Sequence, residues 1–412
     1  MAQLKGIKVK QAFASDKIAD VQAHTLKQLS ENGQGVLPKG GRIAIAVGSR
    51  GIRDVAKVAR ATVDFVKQMG CEPFIIPAMG SHGNATDEGQ REVLSGYGVS
   101  EETMDAPIVS SLEVVKLDSD GLENSVFIDK KAYEADGVIV INRIKVHTDF
   151  HGPTESGLTK MCVIGLGKHR QAIEIHRFGV YGLRNLIEPT ARRSIKQGKV
   201  LLGVGIIENG YDETAEVHVL HGDRIVDDEP ALLDRSRAMM PSLPLDKIDI
   251  LIIDRIGKDI SGSCMDTNII GRMGIRGVEE PASPNVSVII ADDMTPLSHG
   301  NAAGIGLADF ISRKLFDKLD LEATYENCVT STFLDRAKIP VIAKDAYQAY
   351  QWALRTCGPI EIDDVVAVRI RDTLSLSEVY VSQGALKRMK NPVTEGDFAP
   401  MFGEDGQLIK VF

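Results

Sequence analysis

Short apolar runs alternate along the chain with stretches whose apolar residues return every three or four positions, and that alternation predicts the architecture. The run Arg42-Ile43-Ala44-Ile45-Ala46-Val47, bounded by Gly40-Gly41 and Gly48-Ser49, reads as a strand buried on both faces, as in parallel sheets. A helix is expected over 52–69, where Val55, Val58, Ala59, Val63 and Val66 share one face, with Gly70 placed to end it. Residues 71–77 give the next strand, which breaks at Gly80-Ser81-His82-Gly83, and 87–95 is amphipathic. Val138-Ile139-Val140-Ile141 and residues 200–207 are further buried strands, the latter followed by a polar stretch over 208–216. Strand and helix in turn at this period predict a doubly wound α/β domain, which binds ligands at the carboxyl ends of its strands.

A second unit is expected after the proline-rich Pro241-Ser242-Leu243-Pro244, with strands at 248–253, 286–291, 340–343, 365–370 and 379–381 and a helix over 308–319. The expected fold class is therefore α/β, with an N-terminal domain over 1–240 and a C-terminal domain over 245–374. Both have mainly parallel sheets, and a cleft is expected between them. The tail, 375–412, is expected to pack back on the first domain. A chain of 412 residues suits this division.

Composition narrows the function classes. Hydrophobic residues at 43% and charged residues at 25% are the balance of a soluble globular protein. Thirty-nine glycines beside only 5% aromatics imply many tight turns and close backbone approaches. A formal charge of -9 with no basic stripe argues against nucleic acid as a partner. No run of about 18 apolar residues is present to span a membrane. The start, Met1-Ala2-Gln3-Leu4-Lys5, lacks the pattern of a secretory signal. The five cysteines are scattered with no CxxC spacing, so a cytoplasmic setting without disulfides is expected.

The residues able to do chemistry gather at predicted strand ends. His82 lies between glycines, where backbone can approach a ligand closely; the plain alternative is a surface-turn histidine. Arg50, in Gly48-Ser49-Arg50-Gly51, offers a planar fork for a carboxylate or phosphate, or else a solvated turn arginine. The densest segment runs from Asn142 through His147 and His151 to Lys160. Met161-Cys162-Val163-Ile164 directly behind Lys160 suggests enclosure, which would lower the pKa of the amine and make it nucleophilic; a snorkelling lysine is the ordinary alternative. Gly165-Leu166-Gly167 is a weak phosphate cradle, and His176 follows nine residues of largely polar chain later. His82, His147 and His176 could converge on a divalent ion, although no zinc-motif spacing joins them.

With these motifs in place, the chain resembles the nickel-pincer-dependent lactate racemase family. The likeness rests on Ser49-Arg50, the Gly80-Ser81-His82-Gly83 turn and the series His147, Lys160, His176, within about residues 45 to 180. It implies a lysine-tethered nickel-pincer nucleotide, pyridinium-3-thioamide-5-thiocarboxylic acid mononucleotide with nickel, loaded with the help of cofactor-synthesis enzymes. Lys160 would be the attachment point, with Ser49, Gly165 and Gly167 beside the cofactor, and His176 the nickel ligand. His82 and His147 would be the paired acid/base histidines, and Arg50 would orient the carboxylate of a small 2-hydroxy acid. Two imidazoles suit the task because each enantiomer presents its hydroxyl to a different base.

Three departures from the family pattern bear on the substrate. Val47 stands where an acidic residue is expected, and the longer stretch between His147 and Lys160 adds His151, so either histidine could be the second base. The family's second-domain substrate contacts have no obvious counterpart; Asn268 and Arg272 are the nearest candidates, or Asp266 simply caps a helix there. A changed pocket suggests a hydroxy acid longer than lactate, such as a sugar acid. The rival readings are a mononuclear metal hydrolase or lyase using His82, His147 and His176, and a non-catalytic protein that binds a sugar acid or nucleotide. The loop from His299 through Gly300 to Asp309 reads as a helix-entry turn of small residues, or as a lid over a ligand.

Overall fold

A computed structural model describes residues 4–48 and 51–412. The chain divides into two compact units, Ala14–Met240 and Met1–Phe13 joined with Pro241–Phe412. The break falls between Met240 and Pro241.

The first unit is built on a five-stranded sheet. Its strands run in the order Glu72–Pro77, Arg42–Val47, Gly137–Arg143, Val200–Glu208, Thr214–His221, all parallel except the last. Val138, Ile139, Val140 and Ile141 are fully buried, as expected of a strand covered on both faces. The helix Val55–Gln68 covers one face with Val55, Val58, Ala59, Val63, Phe65 and Val66. The second unit carries an eight-stranded sheet. Val341–Ala343, Phe310–Ser312, Asn285–Ala291, Lys247–Ile253 and Ala367–Ile370 form its parallel part. Both units are thus mixed α/β with mostly parallel sheets.

Three segments differ from the sequence-based expectation. The strand Lys5–Lys10 lies in the second unit's sheet, between Glu378–Val381 and Val393–Pro400, both antiparallel to it. The tail therefore belongs to the same sheet as the chain's first strand. Leu4 reaches the core formed by Tyr350, Met401 and Phe402, which anchors both ends of the chain there. The expected helix over 308–319 contains the strand Phe310–Ser312, followed by the short helix Arg313–Phe316 capped by the Ser312 hydroxyl. Three residues are too few to show a period. The polar stretch ends in the strand Thr214–His221, which forms a sheet edge and so alternates buried and solvated residues. Among the described residues no helix is long and apolar enough to cross a membrane.

Candidate active site

In the first unit the chain passes from Arg42–Val47 to Glu72–Pro77 on one side, then returns to Gly137–Arg143 on the other. Doubly wound sheets bind ligands at such a reversal, here the carboxyl ends of Arg42–Val47 and Gly137–Arg143. Gly48 makes the approach there possible, since a Cβ on it would lie 2.6 Å from Asn142 Oδ1. Ser49 and Arg50 follow directly but lie outside the described residues.

The loop beyond Gly137–Arg143 is closed at its neck. Lys145 N donates to Ser156 O at 2.8 Å and Ser156 N donates back to Lys145 O at 3.1 Å. Its inside is organised by Glu155, a fully buried carboxylate. Glu155 accepts from His147 N at 2.5 Å, Gly152 N at 3.3 Å and the Arg237 guanidinium at 3.2 Å. His147 is buried, with its ring 4.7 Å from that of Phe150. Its Nδ1 lies 3.0 Å from Asp149 N and 3.7 Å from the Asp149 carboxylate. Nε2 faces the amine of Lys160 at 2.5 Å.

Lys160 ends a single helical turn, Leu158–Lys160, that continues into a wider turn over Met161–Gly165, where Leu166 N reaches back five residues to Met161 O at 2.9 Å. Such widened turns frequently occur at functional sites. Two glycines in Val200–Glu208 let the Lys160 turn sit directly on the sheet. A Cβ on Gly203 would be 2.9 Å from Leu158 Cδ1, and one on Gly205 would meet Ile144 at 2.6 Å.

Beneath the same turn lies Glu229, fully buried, which accepts from Thr159 N at 2.7 Å and Thr159 Oγ1 at 3.2 Å. Burial pushes its carboxyl up to about 7, against hydrogen bonds from Thr159 that favour the ionised form. A folded-state value above the ordinary 4.5 means that the native protein holds this proton more tightly than the unfolded chain. The contribution to stability is therefore complete below about pH 4.5 and is lost as pH rises through 7, by an amount on the order of 3 kcal/mol. Urea unfolding of wild type and Glu229→Gln across that window should diverge, the variant gaining relative stability as pH rises. Parallel curves would remove Glu229 as the titrating group.

His82 stands partly buried beyond the strand Glu72–Pro77, at the start of a turn over Gly83–Ala85. Its turn touches the Lys160 segment: a Cβ on Gly80 would lie 3.2 Å from Ala172 Cβ and 3.3 Å from Ile164 Cγ2. His176 closes the helix Lys168–His176 one turn after Ala172, on the face that meets Gly80. The structure thus joins Lys160 to His147 directly and lays the His82 turn against the segment linking Lys160 to His176.

Gly165 and Gly167 do not form an open cradle. The Cβ direction of Gly165 is filled by Met161 Sδ at 2.4 Å, and that of Gly167 by Gln171 Cβ at 2.2 Å. Gly167 N is also used, donating to Val163 O at 2.9 Å. These glycines serve helix packing. Among the described residues no group of three or more His, Cys, Asp or Glu side chains is placed to hold a metal ion.

In the second unit, Asp266 caps the short helix Thr267–Ile270, and its backbone N donates to Thr373 Oγ1 at 2.9 Å. That bond ties the Asn268 turn to the carboxyl end of Ala367–Ile370, beside which the strand order again reverses. Asn268 itself donates to Asp266 Oδ1 at 2.9 Å. Arg272 points to the opposite edge of the sheet, where it pairs with Asp309 at 2.8 Å and donates to Leu307 O and Val286 O. Its fork is committed to structure there, which corrects the expectation that it contacts substrate. Glu155 and Glu229 were missed by sequence reasoning, since both sit in polar stretches and take their partners from distant chain.

No protein-family model matches the chain, and no curated protein matches its sequence. Among solved structures, the chain is similar to the lactate racemase apoprotein from Thermoanaerobacterium thermosaccharolyticum, with a TM-score of 0.52 at 13% identity. The likeness covers 90% of this chain and 99% of that one, and at this identity it is a likeness of fold.

Proposed function

We propose that the chain is a racemase or 2-epimerase of a 2-hydroxy carboxylic acid, working with a nickel-pincer nucleotide tethered to Lys160. The observation that carries this reading is the Lys160 amine set against Nε2 of the buried His147, in the segment that follows the parallel strand Gly137–Arg143. The fold shared with a lactate racemase supports it. The residues present fit the cofactor: a primary amine for the thioamide link, and in His176 an imidazole of the kind nickel accepts. When bound, that group supplies the electron sink that takes and returns the C2 hydrogen with its electron pair.

The chain's own side chains do the rest. Lys160 holds the nucleotide, with Ser49 beside it, and His176 ligates nickel. His147 takes or gives the substrate's hydroxyl proton at Nε2, and His82 does so for the opposite enantiomer. Arg50 pairs with the substrate carboxylate. The substrate is a hydroxy acid longer than lactate, on the grounds of Val47 and the extended loop between His147 and Lys160.

Peptide mass spectrometry and nickel analysis test the reading on protein produced beside the cofactor-synthesis enzymes. A nucleotide-sized adduct on the Lys160 peptide with stoichiometric nickel is expected, followed by interconversion of stereoisomers in a panel of 2-hydroxy acids read by chiral chromatography. An unmodified Lys160, where a racemase control made alongside is loaded, overturns it. A loaded protein that turns over lactate far faster than every longer acid overturns the substrate assignment alone.

A further inference from the structure

The turn that follows His82 is held in an unfavourable shape. Gly83, Asn84 and Ala85 all have left-handed backbone, at φ 62°, 54° and 50°. Asparagine tolerates that conformation, but for Ala85 it costs about 1–2 kcal/mol, so surrounding contacts must impose it there. Only glycine fits at position 83, because a Cβ there would lie 2.3 Å from the backbone of Gly89.

Two fully buried polar side chains lie under this turn. Gln90 donates from Nε2 to Met79 O and Gly80 O, both at 3.2 Å, and more distantly to His82 O at 3.5 Å. Its Oε1 accepts from Lys168 Nζ at 3.4 Å. Lys168 also donates to Pro77 O and pairs with the buried Asp129 at 3.1 Å. Asp129 is fixed in turn by Lys131 N at 2.7 Å and Ala132 N at 3.0 Å. A buried lysine is expensive to desolvate unless its bonds are complete, so its presence under a turn calls for a function.

We propose that Lys168 and Gln90 are positioning residues, a buried brace that fixes the backbone of residues 77–82 and so aims His82 at the substrate. The brace roots that turn in the first residue of the helix that ends at His176. The role rests on the racemase reading, because it gives His82 a reaction to serve.

Gln90→Met is the informative variant, since it removes the ties to Met79, Gly80 and His82 and leaves Lys168 on Asp129 and Pro77 O. In cofactor-free protein, amides of residues 78–86 should exchange hydrogen at least tenfold faster, with those of Arg42–Val47 and Gly137–Arg143 unchanged. In loaded protein kcat should fall about 10²-fold with KM nearly constant, the scale of a 1 Å misplacement. In a His82→Gln background the same change should cost no more than about twofold, because it acts through the missing imidazole. Wild-type exchange in 78–86, or an equal loss of kcat in both backgrounds, overturns the proposal. A fully loaded wild-type protein inactive on every 2-hydroxy acid overturns the racemase reading and the role of the brace together, whatever the exchange data show. Lys168→Met, which leaves Asp129 buried without its partner, is a secondary variant and should unfold at lower denaturant.

Discussion

Lys160→Ala protein made beside the cofactor-synthesis enzymes should carry no adduct and lose racemisation by at least ~10³-fold, the scale on which removal of a covalent group reads. Lys160→Arg should be as inactive, and it is the more telling variant. A guanidinium keeps the positive charge and most of the stem but does not give up its proton, so it cannot attack as an amine does. If the lysine served only to attract a substrate carboxylate, arginine would preserve much of the activity. Stability should barely move in either variant, because the side chain is only partly buried and its turn is secured by Glu229 and the sheet glycines rather than by the amine. Chiral assay, peptide mass and a denaturation curve on the same preparations separate these outcomes. Lys160→Arg protein retaining more than a tenth of wild-type turnover would show that the amine is not a nucleophile.

The reach of the sequence follows from where each element gets its stability. Arg42–Val47, Gly137–Arg143, Lys247–Ile253 and Asn285–Ala291 are buried on both faces, so their apolar runs declare them without reference to any partner. Lys5–Lys10 and Thr214–His221 alternate or sit near an edge, and the first takes partners more than 360 residues away, which no local pattern records. The site divides the same way. His82, His147 and Lys160 stand out as candidates in the sequence because glycines and strand ends flank them. Glu155, Glu229 and Lys168 do not, because their importance comes from burial, and burial is decided by partners 82, 70 and 91 residues distant. A polar residue in a polar stretch gives no sign that folding will enclose it. The glycine pair at 165 and 167 misled in the opposite sense. The residue type that lets a ligand approach also lets a helix close upon itself, and here Met161 and Gln171 fill the space.

His147→Gln should lower turnover by about 10²–10⁴-fold, the usual contribution of a positioned acid or base, while His151→Gln should stay within about twofold of wild type. The two rings share one loop, and the chain's order alone leaves either able to serve as the second base. Their surroundings separate them. The His147 side chain is 3% exposed and directs Nε2 at Lys160, whereas that of His151 is 42% exposed and its Nδ1 lies 3.3 Å from Glu155. The Asp149 backbone and carboxylate lie at Nδ1, 3.0 and 3.7 Å away, and leave Nε2 as the His147 nitrogen directed at the reacting groups, where a proton can be taken or given. Glutamine at 147 keeps a polar tip of similar reach but no longer titrates near neutrality, so it separates proton transfer from simple hydrogen bonding. Adduct formation provides the second axis. If His147→Gln protein is loaded on Lys160 yet inactive, the ring acts on the substrate. If it is neither loaded nor active, the ring is needed first to prepare the lysine, and the base at this face must be sought again, with His151 as the next residue to test. Equal losses in both variants would mean that the loop organised by Glu155, rather than either ring, carries the effect.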